Sequence, residues 1–165
     1  MAANSNDPRM PYIMPRGNEV PALTYGILEG NSQSFVAGNF VYLSSAAAVL
    51  YGGGDQTLFG IAAKDATNVS SGNIEIPIYA IGPDDVVSIT VATSADVPEA
   101  SNTTCALITN YDTNAGTTIT SMIDSSDTTN ACFRYQGPQY DADGTASNRG
   151  LFRLIATEVQ TVISN

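Results

Sequence analysis

From Phe35 onward, β-branched and aromatic residues come in short runs separated by Gly, Asn, Asp and Ser, and no stretch sustains the 3.6-residue repeat of an amphipathic helix. Runs of this length suit half-buried strands and are too short for helices that bury a stripe, so the pattern predicts an all-β fold, a small β-barrel or sandwich. The runs place strands over Ser34–Leu43, Gln56–Ala63, Asn73–Ala80, Asp85–Thr93, Thr104–Asn110, Thr117–Ile123, Asn130–Tyr135 and Leu151–Ile163, the last broken near Thr157. Turn chemistry falls between them at Gly52-Gly53-Gly54-Asp55, Ser71-Gly72, Gly82-Pro83 and Gly137-Pro138. Ile74, Ile76, Ile78 and Ala80 alternate with Asn73, Glu75, Pro77 and Tyr79, and Val87, Ile89 and Val91 alternate with Ser88, Thr90 and Ala92. Each set gives one buried and one wet face. Pro77 marks its strand as an edge strand or a bulge. Ser45–Tyr51 has an alternative reading as a short helix, because three alanines favour one. The Thr- and Ser-rich character that runs through 93–130 leaves room for a long loop or an insertion in that half, beside its two strands.

Residues 1–22 differ from the rest. Pro8, Pro11, Pro15 and Pro21 each fix their own φ and push the preceding residue toward extended conformations, which predicts an extended N-terminal arm ahead of a β domain over 23–165. The arm carries Met10, Tyr12, Ile13, Met14 and Val20, too apolar for a segment that merely floats in water. Arg9 and Arg16 flank this apolar set, and Arg, Tyr and Met are enriched at protein interfaces. Arg9, Met10, Tyr12, Ile13, Met14 and Arg16 are therefore the candidate partner-binding residues. Removal of residues 1–16 is expected to leave the body folded.

Charge and residue types exclude several function classes. Six basic residues stand against sixteen acidic ones, a formal charge of -10. That balance repels phosphate backbones, so nucleic acid is not an expected partner. Histidine is absent and Lys64 is the only lysine, which removes the commonest general base and the commonest metal ligand. No cofactor motif is present. No apolar run long enough for a signal peptide or a membrane span occurs, which predicts synthesis in a cytoplasm and no membrane partner. On that expectation the acceptor-like triplets at Asn68 and Asn102 are accidental. Cys105 and Cys132 form no CxxC unit and read as buried thiols.

The motifs that resemble chemistry fall short of it. Gly52–Asp55 lacks the Gly-Lys-Ser/Thr ending of a phosphate loop and reads as a loop tip. Asp141-Ala-Asp143-Gly144 starts like a calcium loop but lacks the third acidic position and the closing glutamate, so it reads as an Asx-type turn. Paired carboxylates, as a glycosidase would need, occur at Asp84-Asp85 and at Asp124 with Asp127, and both pairs lie in turn-like contexts. Without histidine and without a Gly-x-Ser-x-Gly elbow, no conventional triad can be assembled. The expectation is a protein that is not an enzyme.

Gly38-Asn-Phe-Val-Tyr-Leu43, Leu58-Phe-Gly-Ile-Ala-Ala-Lys-Asp-Ala-Thr67, Ile76-Pro-Ile-Tyr79 and Ile81-Gly-Pro-Asp-Asp85 together resemble the capsid decoration (cement) proteins of tailed phages, over about a third of the chain. The resemblance implies a homotrimer on the outer surface of the virion head, bound to the major capsid protein and stiffening the shell, with no catalysis. It also implies an N-terminal arm that reaches across coat subunits. Extended, residues 1–16 would span about 50 Å at ~3.3 Å per residue. Three arms on one trimer would raise retention by about 10²–10⁴ through avidity. The acidic charge fits an exterior position. The long Thr/Ser/Asn-rich second half departs from the family pattern. Two other readings stand beside this one. One is a fibre, spike or adhesin-like module that binds carbohydrate through Tyr111, Tyr135 and Tyr140; the other is a hydrolase using paired acids.

Overall fold

The computed structural model describes residues 11–15, 20–52, 57–67, 74–91, 98, 100–101, 103–112, 118–127, 129–140, 144 and 146–155. They form twelve strands: β1 Tyr12–Ile13, β2 Leu23–Thr24, β3 Leu28–Glu29, β4 Phe40–Ser44, β5 Ala47–Leu50, β6 Gly60–Ala62, β7 Ile78–Ala80, β8 Val86–Thr90, β9 Thr104–Asp112, β10 Thr118–Asp124, β11 Ala131–Tyr140 and β12 Ala146–Leu154. The fold is all-β, as the run pattern predicts, and each of the eight expected strands overlaps an observed one.

The strands build two curled six-stranded sheets. The long-strand sheet has the order β1-β8-β12-β11-β9-β10, antiparallel throughout. It curls until Val91, just past β8, meets Ile123 of β10 in a parallel bridge. The short-strand sheet has the order β2-β7-β6-β4-β5-β3, antiparallel except for the β3–β5 pair.

The main core lies between the sheets, where Phe40, Tyr51, Leu58 and Ile61 meet Val87, Ile89, Phe133 and Phe152. Phe133 is its hub, edge-on to Phe40 at 5.6 Å and to Phe152 at 6.4 Å, the arrangement that ring quadrupoles favour. A second core of Ile27, Phe35, Val41, Ala48, Ile76 and Ile78 covers the opposite face of the short-strand sheet. In β4, Phe40 faces the first core and Val41 the second, and Tyr42 and Leu43 repeat the alternation. A strand buried on both faces needs apolar residues at every position, which explains the unbroken Phe-Val-Tyr-Leu run. In β6, a Cβ on Gly60 would lie 2.3 Å from the Tyr79 carbonyl oxygen, so glycine is what lets β6 and β7 approach here.

Several expectations change in the folded chain. Ser45–Tyr51 is not a helix. Ser45 and Ala46 have φ of 50° and 63° and form the two-residue turn between β4 and β5, and β5 pairs with β4 and β3 at once. Burial and pairing on both edges outweigh the modest helix preference of alanine. Pro77 marks neither an edge nor a bulge: β7 lies inside its sheet, and Pro77 falls just before the first strand residue, where a missing N–H leaves no ladder bond unmade. Gly137-Pro138 is no turn, because β11 runs through it and absorbs it as register shifts on either side. Within 93–130 the two expected strands are present, Thr104–Asp112 and Thr118–Asp124, and they form a seven-pair antiparallel ladder. Gly53–Asp55, Ser71-Gly72, the Asn68 triplet, Asn102, Asp141–Asp143 and the chain from 156 onward lie outside the described residues.

Candidate functional site

The N-terminal segment is where sequence reasoning places the partner-binding residues. Tyr12 and Ile13 pair with Ser88 and Val87 of β8, and the Met14 N–H donates to the Val86 carbonyl at 2.7 Å. The segment is extended, as its prolines require, and it is the outermost strand of the long-strand sheet. Ile13 is buried in the main core. The expected arm over 1–22 thus contributes β1 to the body, and removal of residues 1–16 would strip a strand and a core side chain. Arg9, Met10 and Arg16 lie outside the described residues.

Tyr12 is fixed by a polar network on the outer face of β8. The Gln139 amide donates to the Tyr12 hydroxyl at 2.7 Å, and Gln139 in turn accepts from the Ser88 hydroxyl. Arg149 donates to the Ser88 hydroxyl at 2.8 Å, to the Ser88 carbonyl at 2.8 Å and to the Thr90 hydroxyl at 3.1 Å. Its guanidinium carbon stands 5.2 Å from the Tyr12 ring centroid, within cation–π reach. Ser88, Thr90 and Arg149 are buried, so the face of β8 expected to be wet is covered. A guanidinium with its donors aimed at fixed acceptors orders four strands, β1, β8, β11 and β12, around one side chain. Sequence reasoning missed this cluster: Arg149 and Ser88 are 61 residues apart, and only the alternation of Ser88 and Thr90 with apolar neighbours hinted at a polar face.

Between β1 and the β2 region lies an open groove of ≈ 320 Å³, lined by Ile13, Met14, Pro21, Ala22, Ala80 and Asp85 among others. Its wall is about equally polar and apolar, with Thr24 and Asp85 among the lining residues, and Val20 at its rim is 83% exposed.

Three of the four acids singled out as pairs are engaged locally, and Asp84 is exposed. Asp85 accepts from the Gly82 N–H at 2.7 Å and closes the turn before β8. The Ser126 hydroxyl and N–H hold the Asp124 carboxyl below its ordinary range. Asn130, through its side chain and its N–H, does the same for Asp127, with help from the Thr129 N–H. These are turn-capping bonds, the role such residues take at loop corners. Among the described residues no group of three or more Cys, Asp or Glu could hold a metal ion. Cys105 and Cys132 are buried and form no disulfide, as read from the sequence. Burial, with the Asp124 charge adding to it, pushes the Cys105 thiol up to about 11, so it stays protonated near neutral pH.

Of the tyrosines offered for carbohydrate stacking, Tyr135 is buried against Phe152, with centroids 5.5 Å apart, and presents no face to solvent. Tyr140 is 61% exposed at the end of β11, and Tyr111 lies in β9. No helix among the described residues is long and apolar enough to cross a membrane. No family model matches the chain, and no curated protein or solved structure matches it.

Proposed function

We propose that the protein is a non-catalytic structural component of a tailed-phage head, a decoration protein that binds the major capsid protein from outside as a homotrimer and stiffens the shell. The observation that carries the reading is the anchoring of the N-terminal segment: Tyr12–Met14 is clamped to the rim of the long-strand sheet by ladder bonds, a buried Ile13 and the Arg149–Gln139 network. Residues 1–10 are then tethered to a rigid body at a fixed point, which keeps the entropy of arm docking low. Arg9 and Met10 are the arm's contact residues, and its backbone can add to an exposed sheet edge of the coat. The capping roles of Asp85, Asp124 and Asp127 support a body whose acids serve turns. Net charge -10 suits a surface that faces away from packaged DNA.

Deletion of residues 1–10 tests the arm, because it spares β1. The shortened chain should melt as the full chain does and fail to co-sediment with undecorated heads. Undiminished co-sedimentation would remove the arm from the mechanism, and failure of the full chain to bind any head would remove the reading.

A further inference from the structure

The register of β11 and β12 sets Arg134 directly opposite Arg153. The flanking pairs, Phe133 with Leu154 and Tyr135 with Phe152, are all buried, so strand alternation turns both arginines outward on the same face, and both are exposed. Opposed residues of this kind have Cβ atoms about 4.5–5.5 Å apart, and like charges there are destabilising. Among the described residues neither guanidinium forms an ion pair. Arg149 lies on the same outer face but is buried against Ser88 and Thr90, so the exposed positive charge of this face, in a protein of formal charge -10, is the Arg134 and Arg153 pair. On its other side Arg153 faces Val86 of β8, and half-buried Leu151 follows two residues away. Arginines bordered by aliphatic side chains make the composition of an interface centre.

We propose that this face is a self-association surface whose occupant is the carboxylate-bearing surface of a second copy of the chain. Charge complementarity selects the occupant. Sixteen acidic residues against six basic ones mean that nearly any other face of a second copy presents carboxylates, whereas a phosphate polyanion would meet the -10 field of the whole body. Guanidinium forks pair with carboxylates through parallel hydrogen bonds, and two forks side by side can grip neighbouring acids. A cationic face against an acidic one is a heterologous contact, so each copy can give one and receive one and the assembly can close as a ring.

Ionic strength separates local attraction from whole-body repulsion. At about 0.1 M salt the Debye length is ~10 Å, which screens the repulsion between two acidic bodies and leaves contacts at the face intact; at about 1 M it is ~3 Å. Sedimentation velocity on the full chain should show a mass above the 17.2 kDa of one chain at about 0.1 M salt and a return to that mass at about 1 M. The double variant R134E/R153E should weaken association by about tenfold or more. R134Q should also weaken it while melting no lower than the unmodified chain, because one of two opposed like charges is gone. A monomeric full chain at about 0.1 M salt and up to about 1 mM protein would overturn the proposal, as would undiminished association of R134E/R153E. The inference rests on the homotrimer of the proposed function and names its face: a monomeric chain would remove the homotrimer as well, whereas attachment to capsids is read out separately with heads.

Discussion

In the long-strand sheet, β9 to β12 run seven to ten residues, and one face packs on the shared core. In the short-strand sheet no strand exceeds five residues, yet both faces are buried. The two sheets reach order by different routes. Long ladders supply many backbone bonds in register. Short ones supply few, and side chains there hold the connecting segments instead. Glu29, buried in β3, accepts from the Thr67 N–H at 2.7 Å and from its hydroxyl at 2.6 Å. Gln33 accepts from the Leu50 N–H, Asp65 from the Ala37 N–H, and Asn39 from the Val36 N–H. A hydrogen bond to a charged group is worth about 1.5–3 kcal/mol, so such clamps can replace several rungs of ladder.

The largest test of this contrast concerns the core the sheets share. Phe133→Ala should cost about 3–5 kcal/mol, because the ring touches Phe40 in one sheet and Phe152 in the other and leaves a cavity between them. Circular dichroism and tyrosine fluorescence should still melt together; separate transitions would show that the sheets are independent units. Thr67→Val keeps the side-chain shape and removes one donor to buried Glu29, for an expected loss of about 1.5–3 kcal/mol in urea unfolding. Hydrogen exchange should quicken around 27–39 and 64–67 and stay unchanged in β9–β12. An unaltered midpoint would mean that packing alone secures the short-strand sheet. The smallest effect is a gain. Ala46→Gly relieves a left-handed alanine at φ 63° and should stabilise the hairpin by about 1 kcal/mol, read as a higher melting temperature.

The strand runs were legible because side chains alternate with a period of two whatever the tertiary setting, and Val87, Ile89 and Val91 face the core as their spacing requires. The hairpin at Ser45–Ala46 was not legible, since a non-glycine pair at positive φ gives no sequence signal and alanines argue for helix. Extended backbone over Tyr12–Met14 followed from the flanking prolines, but its place against β8 depended on Arg149 and Gln139, which lie more than 120 residues along the chain. The opposed arginines were equally hidden: Arg134 and Arg153 look unrelated until a register joins them.

By itself the sequence determined the class of fold, the extended course of the N-terminal segment, the buried state of both cysteines and the acidic field around the body. These are properties of local backbone preference, side-chain period and summed charge, none of which requires a partner to be known. Only the tertiary structure decided that Ile13 belongs to the core, that one sheet is buried on both faces, and that two arginines stand side by side. Each of those is a statement about which distant segments meet, and strand pairing is fixed by packing across the whole fold rather than by any window of residues.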